Sequence, residues 1–138
     1  MRRMINRLTD SLNFQTEALV LRSERQRLIA SNIANADTPG YVAREMDFAT
    51  ALREATGQLA TAGQMTVTTA GHLQPPAGAR GEPGLRYATP SQTNLDRNTV
   101  DMDRERASFA DNSVKYEATL RFINGSVRTM LDAIKGQA

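Results

Sequence analysis

Residues 100–134 read VDMDRERASFADNSVKYEATLRFINGSVRTMLDAI, and this stretch decides the fold class. Met102, Phe109, Tyr116, Ile123 and Met130 recur at every seventh position, and so do Arg106, Ser113, Leu120, Val127 and Ile134. Interleaved, the two rows give the alternating four-then-three step of a coiled-coil seam. The spacing predicts a helix over 100–134, with Asn98 or Asp101 available to cap its start and Gly136 following its end. Arg106 and Ser113 make the seam loosest near its beginning. Gly125 lies inside the pattern and costs about 1 kcal/mol relative to Ala.

A second long helix is predicted at 5–36, which contains neither Pro nor Gly. Leu12, Leu19 and Ile33 lie on one row, with Gln26 filling the missing step. Phe14, Leu21 and Leu28 lie on an adjacent row, so that together they form a broad apolar stripe. The helix runs into Asp37-Thr38-Pro39-Gly40-Tyr41. Pro39 cannot continue the hydrogen-bond ladder and disfavours helix at Thr38. Pro followed by Gly suits the two central positions of a type II turn. A shorter helix is expected from 48 to 56, with Phe48 and Leu52 one turn apart.

Residues 57–97 differ in character, holding six of the nine Gly and four of the five Pro. The run from Gln74 to Gly84 cannot be helical. Met65 to Thr69 and Leu85 to Ala88 have the composition of short strands, enough for a small hairpin. The segment is too poor in apolar residues to fold alone. The expected architecture is therefore mainly α. Long N- and C-terminal helices, 1–36 and 98–138, pair as a coiled coil into one axial domain. The turn and short helix at 37–56 and a flexible, Gly/Pro-rich segment at 57–97 join them.

Composition agrees with this class. The 138 residues are 40% apolar but only 5% aromatic, with no Trp and no Cys. Helix-on-helix packing through Leu, Ile, Val, Ala and Met needs less aromatic bulk than a compact core. The lack of Cys excludes disulfides and thiolate metal sites. The formal charge of +2 does not argue for nucleic acid. The excess sits in residues 1–35, with six Arg against three acids, where Glu17 and Glu24 interrupt the basic run. That pattern reads as a solvated face. No stretch approaches the roughly 20 apolar residues of a membrane span, and the polar residues after Met1-Arg2-Arg3 leave no apolar core for a cleaved leader.

No catalytic, cofactor or metal site is expected. His72 is the single histidine and has no adjacent acid. The pairs Asp101/Asp103 and Glu45/Asp47 resemble the two acids of a glycosidase, but acids at helix starts, favourable to the dipole, are far more common. Gly78, Gly81 and Gly84 are Pro-flanked and open no helix, so they form no phosphate loop.

A helix of about 33 residues is roughly 50 Å long, longer than a compact domain of this size is wide. Its apolar stripe needs partners. Each long helix covers one side of the other, and the remaining burial must come from other subunits. Both ends are therefore expected to be partly disordered in the free monomer and to fold on assembly.

The segment Ala30-Ser31-Asn32-Ile33-Ala34-Asn35-Ala36-Asp37-Thr38-Pro39-Gly40-Tyr41 closely resembles the N-terminal signature of the flagellar rod, hook and hook-associated proteins. Met46-Asp47-Phe48, Gly71-His72-Leu73, the run from Asn98 to Glu105, Tyr116-Glu117-Ala118 and the short length are similar to the proximal-rod members. One departure is Arg97, where that family usually has Gly. The resemblance implies a non-enzymatic structural subunit whose paired terminal helices form the inner layer of a helical tube. It implies export through the flagellar type III apparatus without a cleaved signal, and a place in the periplasmic rod. Implied partners are other copies of the chain, other rod subunits, the basal-body adaptor protein, the MS ring and the export gate, with no nucleic acid or small-molecule substrate. Asn32, Ile33, Asn35, Thr38, Pro39, Gly40 and Tyr41 become the assembly signature. Asn32 and Asn35 would bond backbone groups across an interface and fix register; the plainer reading is that they satisfy carbonyls at the helix end. A soluble coiled-coil adaptor or chaperone is the competing class, against which the turn signature argues.

Overall fold

The computed structural model describes residues 2–57, 85–88 and 95–136. The chain forms α1 (Arg2–Ala34), β1 (Arg44–Met46), α2 (Phe48–Ala55), β2 (Leu85–Tyr87) and α3 (Met102–Lys135). The strand expected at 65–69, His72 and the Pro/Gly run at 74–84 lie outside the described residues.

The architecture is mainly α, and the long helices α1 and α3 lie against each other. They run antiparallel: Glu105 near the start of α3 meets Asn32 near the end of α1, and Asn112 further along meets Arg22. Each helix ends where local chemistry dictates. Asp101, in extended conformation, caps α3 by accepting from the N–H groups of Asp103 and Arg104. Asp47 caps α2 through the N–H and hydroxyl of Thr50. The end of α1 tightens into short turns, with Asn35 N–H bonding to both the Ser31 and Asn32 carbonyls and Ala36 N–H to that of Ile33.

The strand at 85–87 falls where the composition placed it, but its partner is β1, some forty residues earlier. The pairing is antiparallel, with Arg44 opposite Tyr87 and Met46 opposite Leu85. Two small apolar clusters flank this sheet. Leu21 and Leu28 of α1 pack with Met46 and Ala51, joined by Phe48, Leu52, Ala55 and Leu85. Ala43, Ala88 and Val100 form the other, beside Ala36, Tyr41 and Met102. Over the first cluster the Arg22 guanidinium stacks on the Phe48 ring, 4.3 Å from its centroid. The buried residues lie in the half of the helical pair nearer the α1–β1 turn. Among the described residues nothing is buried before Ala18 or after Thr119.

Candidate functional site

The turn after α1 takes the expected form. Gly40 has φ of +72°, and Tyr41 N–H bonds to the Thr38 carbonyl 3.2 Å away. Gly40 N–H reaches the Asp96 carbonyl at 2.8 Å, tying this turn to the one before α3. Thr38, Pro39 and Gly40 are exposed, while Ile33, Asn35 and Tyr41 are half-buried.

Asn32 is fully buried and uses every bond its amide can make. Its Nδ2 donates to the Arg44 carbonyl at 2.8 Å and to Glu105 Oε1 at 3.2 Å. Its Oδ1 accepts from Arg44 N–H and from the Tyr41 hydroxyl, each at 3.1 Å. Arg44 sits opposite Tyr87 at a position whose N–H and C=O point away from β2. The Asn32 side chain therefore meets both groups as a third strand would. It fixes β1, the turn and α3 on α1, and its partners all belong to its own chain. Asn35 behaves differently. Its Nδ2 donates to the Ser31 carbonyl at 2.8 Å, and its Oδ1 accepts from the Thr38 hydroxyl, so it serves the helix end itself.

The last carbonyls of α1 are held by Asn98. Its Nδ2 lies 2.9, 2.7 and 2.8 Å from the carbonyls of Asn35, Ala36 and Thr38, and its Oδ1 accepts from Val100 N–H. Asn98 thus ends the first helix rather than starting the last; Asp101 has that second task. The preceding residue, Arg97, has φ of +54°, the left-handed conformation that glycine usually supplies.

Further along, Asn112 Nδ2 donates to the Arg22 carbonyl at 2.9 Å and to Gln26 Oε1 at 2.6 Å. Gln26 Nε2 donates to the Ser113 hydroxyl, which donates to the Phe109 carbonyl. Asn98, Glu105, Asn112 and Thr119 are all buried and lie seven residues apart. The last three members of this polar row, Glu105, Asn112 and Thr119, are the residues of α3 that are buried. A search for apolar repeats passes over it, although its own period of seven was present in the sequence.

The two apolar rows of α3 flank it unequally. Met102, Tyr116, Ile123 and Met130 are half-buried, and Phe109 is 41% exposed. Leu120, Val127 and Ile134 are 37%, 40% and 80% exposed. On α1, Leu28 is buried and Leu12 and Leu19 are half-buried. Counting in sevens from the Gln26–Ser113 bond, back along α1 and forward along α3, sets Leu19 beside Leu120 and Leu12 beside Val127. One side of the helical pair thus carries a continuous, incompletely covered apolar stripe.

The charged groups around Asn32 line a cavity of about 110 Å³. Arg25 and Ile29 of α1, Arg44 and Glu45 of β1, and Arg104, Glu105 and Ser108 of α3 face it. Arg104 and Glu45 form an ion pair at 2.5 Å. Burial pushes the Glu105 carboxyl above the ordinary carboxylate range, only partly offset by the Asn32 bond. The backbone and hydroxyl bonds from Thr50 hold Asp47 below that range, and Lys115 does the same for Asp111. Among the described residues, no three His, Asp or Glu side chains gather as a metal site would. No described helix is long and apolar enough to cross a membrane.

A family model described as flagella basal body rod protein matches residues 12–41, which hold most of α1 and the whole turn. The chain is 47% identical over 135 residues to flagellar basal body rod protein FlgB of Proteus mirabilis, covering 96% of this chain and 98% of that protein. FlgB of Salmonella typhimurium is 47% identical over 142 residues, covering 96% and 99%. FlgB of Escherichia coli is 44% identical over 139 residues, covering 96% and 98%. With similarity running through both long helices and the segment between them, the chain belongs to the FlgB family of flagellar basal body rod proteins.

Proposed function

We propose that the chain is a structural subunit of the proximal rod of the flagellar basal body, a building element of the axial drive shaft and not an enzyme. The observation that carries this reading is the near-full-length similarity to FlgB proteins of three bacteria. The incompletely covered stripe of Leu12, Leu19, Leu120, Val127 and Ile134 supports assembly through the terminal helices. In this reading α1 and α3 form one axial unit. They pair as a coiled coil with each other and then with helices of neighbouring copies and other rod subunits. The polar row at 98, 105, 112 and 119 sets the register of the pair inside each subunit. Thr38, Pro39, Gly40 and Tyr41 hold the joint between the axial helices and the rest of the chain, and Pro39 and Gly40 are open to a neighbour. Export through the flagellar type III apparatus and contacts at the rod base with the adaptor protein, the MS ring and the export gate follow from the same reading.

The chain has no native cysteine, which makes site-specific cross-linking a direct test. Cysteines at Leu120 or Val127, in a chain replacing the resident subunit of a flagellated bacterium, should cross-link to rod subunits in purified basal bodies. A cysteine at the solvent side of α3, such as Arg121→Cys, should not. Presence of the chain in basal bodies with cross-links only from Arg121→Cys would refute assembly through the stripe. Absence of the chain from basal bodies would refute the rod reading itself.

A further inference from the structure

The polar row contains one group that the rod reading does not require, the carboxylate of Glu105. It is only 7% exposed and sits where α3 meets both α1 and β1. Among the described residues its one hydrogen bond is from Asn32 Nδ2, and that bond is long for a charged acceptor at 3.2 Å. Among the described residues no cation forms an ion pair with it. Arg104 pairs with Glu45 and acts on Glu105 only as a nearby charge, and among the described residues neither Arg25 nor Arg44 forms an ion pair with Glu105. The like charges are close: Glu45 on β1 lines the same cavity, and Asp101, the cap of α3, lies one turn earlier in the chain. A carboxylate in this setting is a charge removed from water without a dedicated counter-ion.

We infer that Glu105 is a proton-operated latch on the pairing of α1 with α3, loosened when ionised and tightened when protonated. The neutral acid keeps a carbonyl oxygen to accept from Asn32 and gains an O–H that can donate into the cavity toward Glu45. No bond is lost on protonation, and the buried charge is removed. Because Asn32 also holds β1 and Tyr41, the state of Glu105 bears on the whole junction and not on α3 alone. Burial that raises the carboxyl's proton affinity acts in the same direction. The folded chain then binds this proton more tightly than the unfolded chain. Stability contributed here rises as pH falls through the raised value, and is complete below the ordinary glutamate value. The carboxyls held low, Asp47 and Asp111, act in the opposite direction and at lower pH, below the ordinary aspartate range.

The test compares urea unfolding of the full chain and of Glu105→Gln between about pH 7 and about pH 4. The glutamine keeps an oxygen for Asn32 and carries no charge. The folding constant of the variant should exceed that of the native chain by about three- to tenfold near pH 7, and the two should converge near pH 4, where the ordinary glutamate value is passed. An offset that does not change with pH, or a variant less stable than the native chain near pH 7, would overturn the latch. A second reading needs no variant: the Glu105 carboxyl carbon, followed by NMR in the native chain, should titrate above the ordinary glutamate range. Titration within or below that range would overturn the proposal whether or not Glu105→Gln folds.

Discussion

Arg97 shows how one residue can stand against its backbone and be held there by its neighbours. Its φ of +54° costs an L side chain about 1–2 kcal/mol. It persists because both flanks are fixed: Asp96 accepts from Gly40 N–H, and Asn98 grips three carbonyls at the end of α1. The turn that the family resemblance associated with glycine has kept its left-handed conformation without the glycine. Arg97→Gly should therefore relieve the strain. Part of the gain is offset by the greater freedom of an unfolded glycine, leaving a net stabilisation of about 0.5–1 kcal/mol. The midpoint of urea unfolding should rise with its slope unchanged; a lower midpoint would mean that the Arg97 side chain makes a compensating contact in solution. This conformation was partly legible in advance, since the departure at Arg97 was visible in the sequence. What the three-dimensional arrangement added is that Asn98, the residue beside it, serves the distant helix α1, sixty residues earlier, and not the adjacent α3.

At the scale of elements, both long helices and the short one were legible within a few residues, because a period of seven sustained over thirty residues has no other reading. The Pro39-Gly40 turn was legible because proline and glycine each restrict or extend the backbone in known ways. The sheet was not. β1 is three residues long, and the strand-like face on its free edge is a side chain, Asn32, which no local pattern announces. The innermost face of α3 was also missed, since its period is written in Asn98, Glu105, Asn112 and Thr119, and a search for apolar spacing discards such residues. Gly125 belongs to this scale too. It lies in the part of α3 beyond the last buried residue, and a Cβ added there meets nothing within 4 Å in the single chain. Gly125→Ala should raise the helicity of the free subunit, by circular dichroism, to the extent that about 1 kcal/mol of added local helix stability allows. Unchanged or lower helicity would show that Gly125 sits in a break of the helix and not within it. If helicity rises and motility is lost, the glycine is needed for close approach of a neighbour in the rod.

The whole molecule is a lever with its fastenings at one end. Hydrogen bonds joining α1 and the turn after it to the segment from Asn98 onward cluster, among the described residues, between Arg22 and Tyr41 on one side and between Asn98 and Ser113 on the other. Both apolar clusters lie in the same half. Beyond Thr119, α3 runs for a further sixteen residues, to Lys135, without burying one. Local stability follows buried contacts and cross-element bonds, so opening must be easiest where both are missing. An isolated helical stretch of that length is marginal in water. Amide hydrogen exchange of the free subunit should thus show a gradient. Protection should be greatest around Leu28–Asn32 and Glu105–Asn112, and about tenfold or more lower after Val127 and before Leu12. In assembled basal bodies the same terminal amides should become as protected as the middle of each helix, because neighbouring helices then cover the stripe. Uniform protection along α3 in the free chain would contradict folding on assembly, and would mean that the two helices hold each other along their whole length without help from a second subunit.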